Sequence, residues 1–451
     1  MLASVVIAVA AAAALTPETA VTEALSGGPD AILARLAAEL PVSDVTSARS
    51  VIYPQVSLSA SASRQFIGDR TIDSAFPVFT KDANGNPQLS FQQQQQHVSG
   101  TSIPDWSIGA QASQLVYDGG RWWKNLDAAK AALAAAGGQR DEALLDVALA
   151  AWTRFFEVVR AERSLSTLDA ALARDQEQLD ASSRLFEGGK ALKTDVFLAA
   201  ANLAQDRVSR AGQQRVVDQA RTDLAAVLGR APDATLAAAA PADLLADVAA
   251  PEGADADHAL RQRPRLRQFA DQRVAAGQLA DVARAAYQPV VSLFANYNRQ
   301  GPGFTDVYGD PRRQYTAGVG AQVNYNLFSG FAVDAAAQKA AVQVRQAKEL
   351  EAQAQLAVQV DVAHAQAALT SANAALAAAA DGDKAAHDAL SLAQAAYEIG
   401  TGNILTVRDA NLKVAQAELS RVSAAVDARE ALGSLWRALG SLPTGRTLES
   451  K

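Results

Sequence analysis

Two stretches of this chain repeat one another at a fixed distance. Phe186 to Ala199 reads F-E-G-G-K-A-L-K-T-D-V-F-L-A, and Tyr397 to Ala410 reads Y-E-I-G-T-G-N-I-L-T-V-R-D-A. Each is a short glycine-bearing turn between long alanine-rich helical patterns, and Phe186 precedes Tyr397 by 211 positions, as Gly189 precedes Gly400. A chain written twice folds as two equivalent units, and here the unit is a helical hairpin. Arg121 to Leu185 holds 65 residues without a proline, roughly 97 Å of helix at 1.5 Å per residue. Few compact domains accommodate such a rod.

The repeat extends beyond the rods. Pro29 and Pro54 recur 235 positions later as Pro264 and Pro289, and Tyr53-Pro54-Gln55-Val56 is echoed by Tyr287-Gln288-Pro289-Val290. After each echo the period changes from helical to alternating. Val56, Leu58, Ala60 and Ala62 point one way and Ser57, Ser59, Ser61 and Ser63 the other, the pattern of a strand with one apolar and one hydroxyl-rich face. Further alternating runs fall at Trp106 to Tyr117, Val291 to Tyr297 and Tyr315 to Tyr325, so strands are expected at about 54–65, 106–117, 290–299 and 315–327. The offset changes from 235 to 211 between the strands, a deletion of 24 residues in the second copy. It falls where Phe66 to Pro104, with Asn84-Gly85-Asn86-Pro87 and the run Gln92 to Gln96, reads as a long polar loop. Surface loops vary where paired rods must match in length.

Local punctuation supports the helices. Thr16-Pro17-Glu18 is a capped start, and Pro41 is expected to kink or split the next helix. Gly137-Gly138 marks a soft point in the first rod, and Arg230 to Asp257 is a proline- and alanine-rich connector between the copies.

Composition narrows the class. The chain is 49% apolar and 20% charged, with one methionine and no cysteine. Disulfides, thiolate metal sites and cysteine nucleophiles are excluded, as is a lipidated cysteine. A net charge of −7 with mixed signs gives no basis for binding nucleic acid. Val5 to Leu15 has the length of a signal-peptide core, with small residues of A-x-A character around Ala10 to Ala14, and is too short to span a bilayer. Export is therefore expected, against the alternative of a buried apolar N-terminus.

Catalysis and cofactors find no support, so none is expected. His97, His258, His364 and His387 are scattered without metal-ligand spacing, and Gly318-Val319-Gly320 lies in a strand pattern rather than before a helix. Asp381-Gly382-Asp383 lacks the other ligands of a calcium loop.

Four alternating strands cannot satisfy their own edges, and a face of serine, asparagine and glutamine opposite an apolar face suits water inside and lipid outside. Each run is long enough for one tilted membrane crossing. Three copies would supply twelve strands and close the edges. A small soluble sheet packed on helices is the alternative, and it leaves the serine faces and proline-free rods unexplained. Alanine-rich rods bury little area each, but their small side chains let backbones approach closely in a tube or bundle.

From about Leu15 to Gly440 the chain resembles the TolC family of outer-membrane efflux proteins. The resemblance is carried by the doubled helix-strand-loop-strand-helix order, the strand starts Y-P-Q-V-S-L and Y-Q-P-V-V-S-L, the strand ends L-V-Y-D-G-G-R and N-L-F-S-G-F, and above all Y-E-I-G-T-G-N-I-L-T-V-R-D-A. It implies an α+β membrane protein with an internal twofold repeat. Its long helical hairpins would form a periplasmic α-barrel, and four strands per chain would contribute to a trimeric twelve-stranded outer-membrane β-barrel. The implied layout is a signal peptide over 1–14, a first repeat over 15–229, an equatorial connector over 230–257, a second repeat over 258–440 and a tail over 441–451. Thr16 to Ser26 and the residues after Gly440 would join the connector in an equatorial belt.

The implied function is a passive exit duct of a tripartite efflux or type I secretion system. Its partners would be two further copies of itself, outer-membrane lipid, a periplasmic adaptor (membrane fusion) protein and an inner-membrane RND or ABC transporter. The family's constriction pattern has an aromatic, a basic and two acidic residues. Tyr397 matches the aromatic and Asp409 the second acid, while Gly402 stands at the basic position and Thr406 at the first acidic one. The implied pore lining is Tyr397, Thr406 and Asp409, with Asp195 and Lys193 of the first tip either joining it or acting as solvated helix-end charges. One acidic ring would be kept, unless Arg408 pairs with Asp409 and cancels it. Phe186, Gly189 and Gly400 would form the adaptor-docking tips, although turn geometry alone accounts for the glycines. A soluble periplasmic coiled-coil adaptor or scaffold is the competing function; it too uses helical hairpins, but has no use for lipid-facing strands. One methionine argues against copper handling. Drug, solvent and protein export all remain compatible with the sequence.

Overall fold

The computed structural model describes residues 15–189, 192–232, 236, 238–251, 253–399 and 401–444. The expected signal peptide, Gly400 and most of the C-terminal tail lie outside them. The chain divides into two units: 1–44, 128–277 and 342–451 form one, and 45–127 with 278–341 form the other.

The first unit is helical. Helices α1 (Pro17–Gly27) and α2 (Pro29–Ser50) lead into the strand region. Thr16 caps α1, its hydroxyl accepting from Thr19 N at 3.3 Å while Thr19 Oγ1 accepts from Thr16 N at 2.9 Å. α2 is not split at Pro41. The proline removes one hydrogen bond, but the turns on both sides propagate the helix past it.

The rods are α3 (Arg121–Glu187) and α8 (Ala332–Glu398), each 67 residues long. Each turns back into a shorter helix, α4 (Lys193–Leu228) and α9 (Ile404–Ala438) respectively. Short α5 (Ala256–Gln262) and longer α6 (Pro264–Ala285) open the second copy. α3 runs unbroken through Gly137-Gly138, where Gly138 lies against the backbone of Gln268 on α6. The expected soft point is a close helix-to-helix contact.

Bulky side chains concentrate at one level of the rods. Trp152, Phe155 and Phe156 of α3 pack with Val21 of α1, Leu224 of α4, Val358 and Val362 of α8, Leu435 of α9, and Leu236 and Val248 of the connector. Ala239 N donates to Leu15 O at 2.8 Å, tying the connector to the start of the described chain. Here Arg263 is buried, and donates to both carboxylate oxygens of Glu142 and to Ala438 O. Elsewhere the alanine-rich rods are joined by ion pairs: Arg210–Asp169 at 2.5 Å and Arg221–Glu162 at 2.7 Å join α3 to α4. Arg160–Asp427 at 2.7 Å joins α3 to α9, and Arg421–Asp383 at 2.9 Å joins α8 to α9. Asp381 to Asp383 lies inside α8, in a helix rather than a metal-binding loop.

The second unit carries the strands. β1 (Gln55–Ile67), β4 (Thr101–Tyr117), β5 (Val290–Gly301) and β6 (Tyr315–Asn324) form an antiparallel sheet in the order β1-β4-β5-β6. β6 stops short of the expected residue 327 because its partner β5 begins at Val290, opposite Asn324.

The stretch expected as a long polar loop is a hairpin instead. β2 (Arg70–Lys81) pairs with β3 (Pro87–Val98) in continuous register. Asp82 closes its turn by accepting from Asn84 N at 2.9 Å and Asn86 N at 2.8 Å. The five-residue loop Asp82–Asn86, with Gly85 at φ +86, sets the register through backbone geometry, so a strand of glutamines can pair without an apolar pattern. The second copy's shorter loop holds the five-residue helix α7 (Phe304–Tyr308). Among the described residues no helix is long and apolar enough to cross a membrane.

Candidate functional site

The four-stranded sheet sorts its side chains by chemistry. Ser61 lies opposite Ser107 and Ser107 opposite Gln300; Ser59 lies opposite Gly109, then Asn298, then Thr316. Ser61 and Ser107 hydroxyls are 2.8 Å apart, and Gln300 donates to Asp105 at 3.1 Å. The alternate register gives the opposite face: Val56, Leu58 and Ala60 of β1, Ala112, Ala110 and Ile108 of β4, Ala295 of β5, and Val319 and Val323 of β6. That face is bare. Leu58 is 75% exposed and Val319 85% exposed, where a soluble sheet would bury them.

Aromatic side chains bracket the apolar band. At one end of the strands Tyr117, Trp123, Tyr325, Phe328 and Phe331 are exposed, while Trp122 is anchored by its indole N–H to Ala48 O at 2.8 Å. At the other end Trp106 meets Phe304 edge-on at 5.3 Å, and Tyr297 stacks on Tyr315 at 5.7 Å. An apolar strand face between two aromatic girdles is the pattern of a membrane-spanning β-barrel wall. The outer edges of β1 and β6 have no strand partner among the described residues, and in lipid such edges must be closed.

The first tip is built by glycine and capping. α3 ends as Gly188 N donates to Arg184 O and Gly189 N to Phe186 O. Gly189 has φ +68 with open space around it, so left-handed backbone geometry demands the glycine. Phe186 is 42% exposed, and Phe197 and Leu192 are also exposed. Asp195 accepts from Leu192 N at 3.2 Å, stabilising the positive start of α4. Lys193 lies 5.6 Å over the Phe197 ring. Both charges expected as possible lining are occupied within their own turn.

The second tip closes differently. Thr401 N and Gly402 N both donate to Ala396 O, at 3.0 and 2.8 Å, and Asn403 caps α9 by accepting from Leu405 N at 3.0 Å. A Cβ on Gly402 would stand 2.9 Å from Ala396 C and Tyr397 N. The position of the missing basic residue therefore has no room for a side chain. Tyr397 packs on Leu390, Val407, Ala410 and Val414, inside the hairpin that it begins. Thr406 is exposed. Asp409 does not pair with Arg408; it meets Lys413 one turn on at 2.7 Å, both side chains about two-thirds exposed.

Arg408 turns instead toward the first hairpin. Asp175 of α3 and Arg408 line one small cavity with Leu198, Ala199 and Asn202 of α4. Burial first, and then the Asp206 carboxylate, push Asp175 up to about 6 against the pull of Arg408 and Arg174. Sequence reasoning overlooked this group. A signal was present: Asp175 shares the helical register of buried Ala171 and Ser182, where a charge is out of place.

A two-faced strand wall combined with paired helical rods defines an outer-membrane channel protein of mixed β and α construction. The outer membrane efflux protein family matches residues 20–230 and 256–441, and the chain belongs to that family. It lies in the cell outer membrane and extends into the periplasm. No curated protein matches the sequence. Among solved structures it is similar to CusC, at 19% identity and TM-score 0.76 over 94% of this chain and 92% of that one. It is also similar to the outer membrane protein VceC of Vibrio cholerae, at 18% identity and TM-score 0.72 over 96% and 97%. The open state of the Neisseria gonorrhoeae MtrE outer membrane channel gives 21% identity and TM-score 0.73 over 96% and 90%. At these identities the likeness concerns the fold.

Proposed function

We propose that three copies of this chain close one twelve-stranded barrel and act together as a passive exit duct in a tripartite efflux or type I secretion system. The uncovered apolar sheet face, with two edges that have no strand partner among the described residues, carries this reading. Four strands per chain leave a barrel open, and repetition around a threefold axis removes every edge while keeping serine, asparagine and glutamine toward a water-filled lumen. A periplasmic adaptor would meet the tips, where Phe186, Leu192, Phe197 and Ile399 are exposed. An inner-membrane RND or ABC transporter would supply the energy, since the duct performs no chemical step. A soluble adaptor would have no use for a bare apolar sheet.

Threefold symmetry would turn Tyr397, Thr406 and Asp409 into rings at the periplasmic end. Asp409 would supply negative charge to the lining, partly offset by Lys413. Asp195 would support the first tip as a helix cap. The deciding experiment is membrane fractionation with heat-modifiable migration, followed by planar-bilayer recording. A trimer in the outer membrane that converts to monomer on boiling and conducts ions is expected. A monomer in the soluble periplasm would overturn the proposal.

A further inference from the structure

We infer that the loop carrying α7 is a docking site for a phosphorylated glycolipid of the outer leaflet, whose phosphate groups bind Arg312 and Arg313 on the outer wall of the sheet. This goes beyond the duct reading and rests only on its lipid-facing wall.

The loop lies on the lipid side of the strands. Arg299 stands opposite Ile108 and Tyr315, and Tyr297 opposite Ala110 and Ala317, so both share the register of the bare apolar face. Trp106, opposite Ala62, belongs to it as well. α7 packs onto these residues: Phe304 meets Trp106 edge-on and stacks on Tyr308 at 4.5 Å. Val307 is buried, and so is Arg299, which donates to Asp306 O at 2.7 Å and to Gly309 O at 3.3 Å. The Tyr297 hydroxyl donates to Pro311 O at 2.6 Å. A loop folded over a water-filled mouth would instead meet Asp105 and Gln300, which bond to one another on the polar face.

The same contacts hold the loop in one shape. Gln314 has φ +50, a left-handed conformation that persists for a residue with a side chain where its surroundings enforce it. Asp306 accepts from Gly303 N at 3.0 Å and Asp310 from Arg312 N at 2.9 Å, so both loop carboxylates serve backbone groups. The guanidiniums are left outward. Arg312 is exposed and its side chain makes no ion pair among the described residues. The Arg313 side chain is 83% exposed, at 3.7 Å from Asp310, a separation that contributes little between solvated charges.

Position and chemistry together select the ligand. The sheet is entered from α2 and α6 and left into α3 and α8 at one end, so the α7 loop lies at the other, outer end. Aromatic side chains at that level sit where acyl chains meet headgroups. Arg312 follows directly on Pro311, which Tyr297 pins to the wall. Guanidiniums offer two parallel donors to a phosphate, so an amphipathic lipid finds its apolar and its anionic contacts side by side.

The test is a titration of the purified trimer in detergent with diphosphoryl lipid A and with the same lipid stripped of its phosphates, read by native mass spectrometry. Wild type is expected to take up the phosphorylated lipid at about tenfold lower concentration, the scale of attraction between a few headgroup-level arginines and anionic lipid. Arg312→Gln/Arg313→Gln should lose that preference. Arg207→Gln/Arg215→Gln, which removes the same charge from exposed positions of α4, should keep it. Equal uptake of the two lipids by wild type, loss of the preference in both variants, or displacement by millimolar inorganic phosphate overturns the proposal.

A second measurement needs no variant. On the wild-type trimer the phosphorylated lipid should slow arginine-specific dicarbonyl modification of Arg312 and Arg313 and leave Arg207 and Arg215 unaffected; equal rates with and without lipid overturn the site. A trimer that shows the preference but carries no current supports the lipid site and overturns the duct. A conducting trimer without the preference does the reverse.

Discussion

At the second tip a single hydrogen atom decides what chemistry is possible. Gly402 sits where a side chain would press into the backbone of Ala396 and Tyr397, so this tip closes by tight backbone hydrogen bonding instead of a charged contact at that position. Gly402→Lys is expected to open the turn at a cost of about 1–3 kcal/mol, the usual penalty for overpacking. Proteolytic cleavage around Ile399 to Leu405 should quicken while the heat-modifiable trimer persists. The charge of the tip is also set residue by residue. An exposed pair such as Asp409–Lys413 contributes about 0–1 kcal/mol to stability, so removing either partner should alter ion selectivity far more than folding. Lys413→Ala is expected to raise the cation-to-anion permeability ratio in planar bilayers and Asp409→Ala to lower it. Equal ratios in the two variants would remove Asp409 from the pore lining.

At the scale of elements, the strands and the rods hold together by different means. A strand of the four-stranded sheet presents water-seeking groups on one face and lipid-seeking groups on the other, so the same substitution has opposite outcomes at neighbouring positions. Val319→Arg places a charge on the bare apolar face, where the cost at mid-membrane is about 2–4 kcal/mol, and should sharply lower the yield of membrane-embedded trimer. Ser59→Arg, on the polar face, should leave trimer yield near wild type and change conductance instead. Comparable yields from the two would contradict the assignment of faces. The rods have no such solvent to sort them. Their small side chains pack closely, and Arg160, Arg210, Arg221 and Arg421 set which helix lies beside which. In the helical unit, among the described residues, the buried aromatic side chains are Trp152, Phe155 and Phe156.

For the whole molecule, the repeat separates what must match from what is free to differ. Both rods have 67 residues, and the two copies differ chiefly at the loop that the first copy fills with the β2–β3 hairpin. The second copy completes its part of the sheet with only a short helix in that place. Replacing Arg70 to Val98 by a short turn is therefore expected to leave a heat-modifiable, conducting trimer. Loss of the trimer would mean that the hairpin takes part in assembly.

The sequence by itself determined the doubling, the rods, the four alternating strands and the positions of the tips. Each of these rests on periodicity or punctuation, which act between near neighbours: 3.6 residues for a helix, two for a strand, glycine at a left-handed turn such as Gly189. The family resemblance followed from their order. The β2–β3 hairpin is not legible as strands because its glutamine run lacks an apolar period, although Asn84-Gly85 marks the turn. What only the tertiary structure decided are contacts between residues far apart in the chain. No local pattern shows that Gly402 lies against the end of its own rod, that Asp409 turns to Lys413 and not to Arg408, or that Asp175, Asn202 and Arg408 converge from three helices. Those outcomes depend on how the hairpins pack, because a charge's energy is set by what is brought within a few ångströms of it.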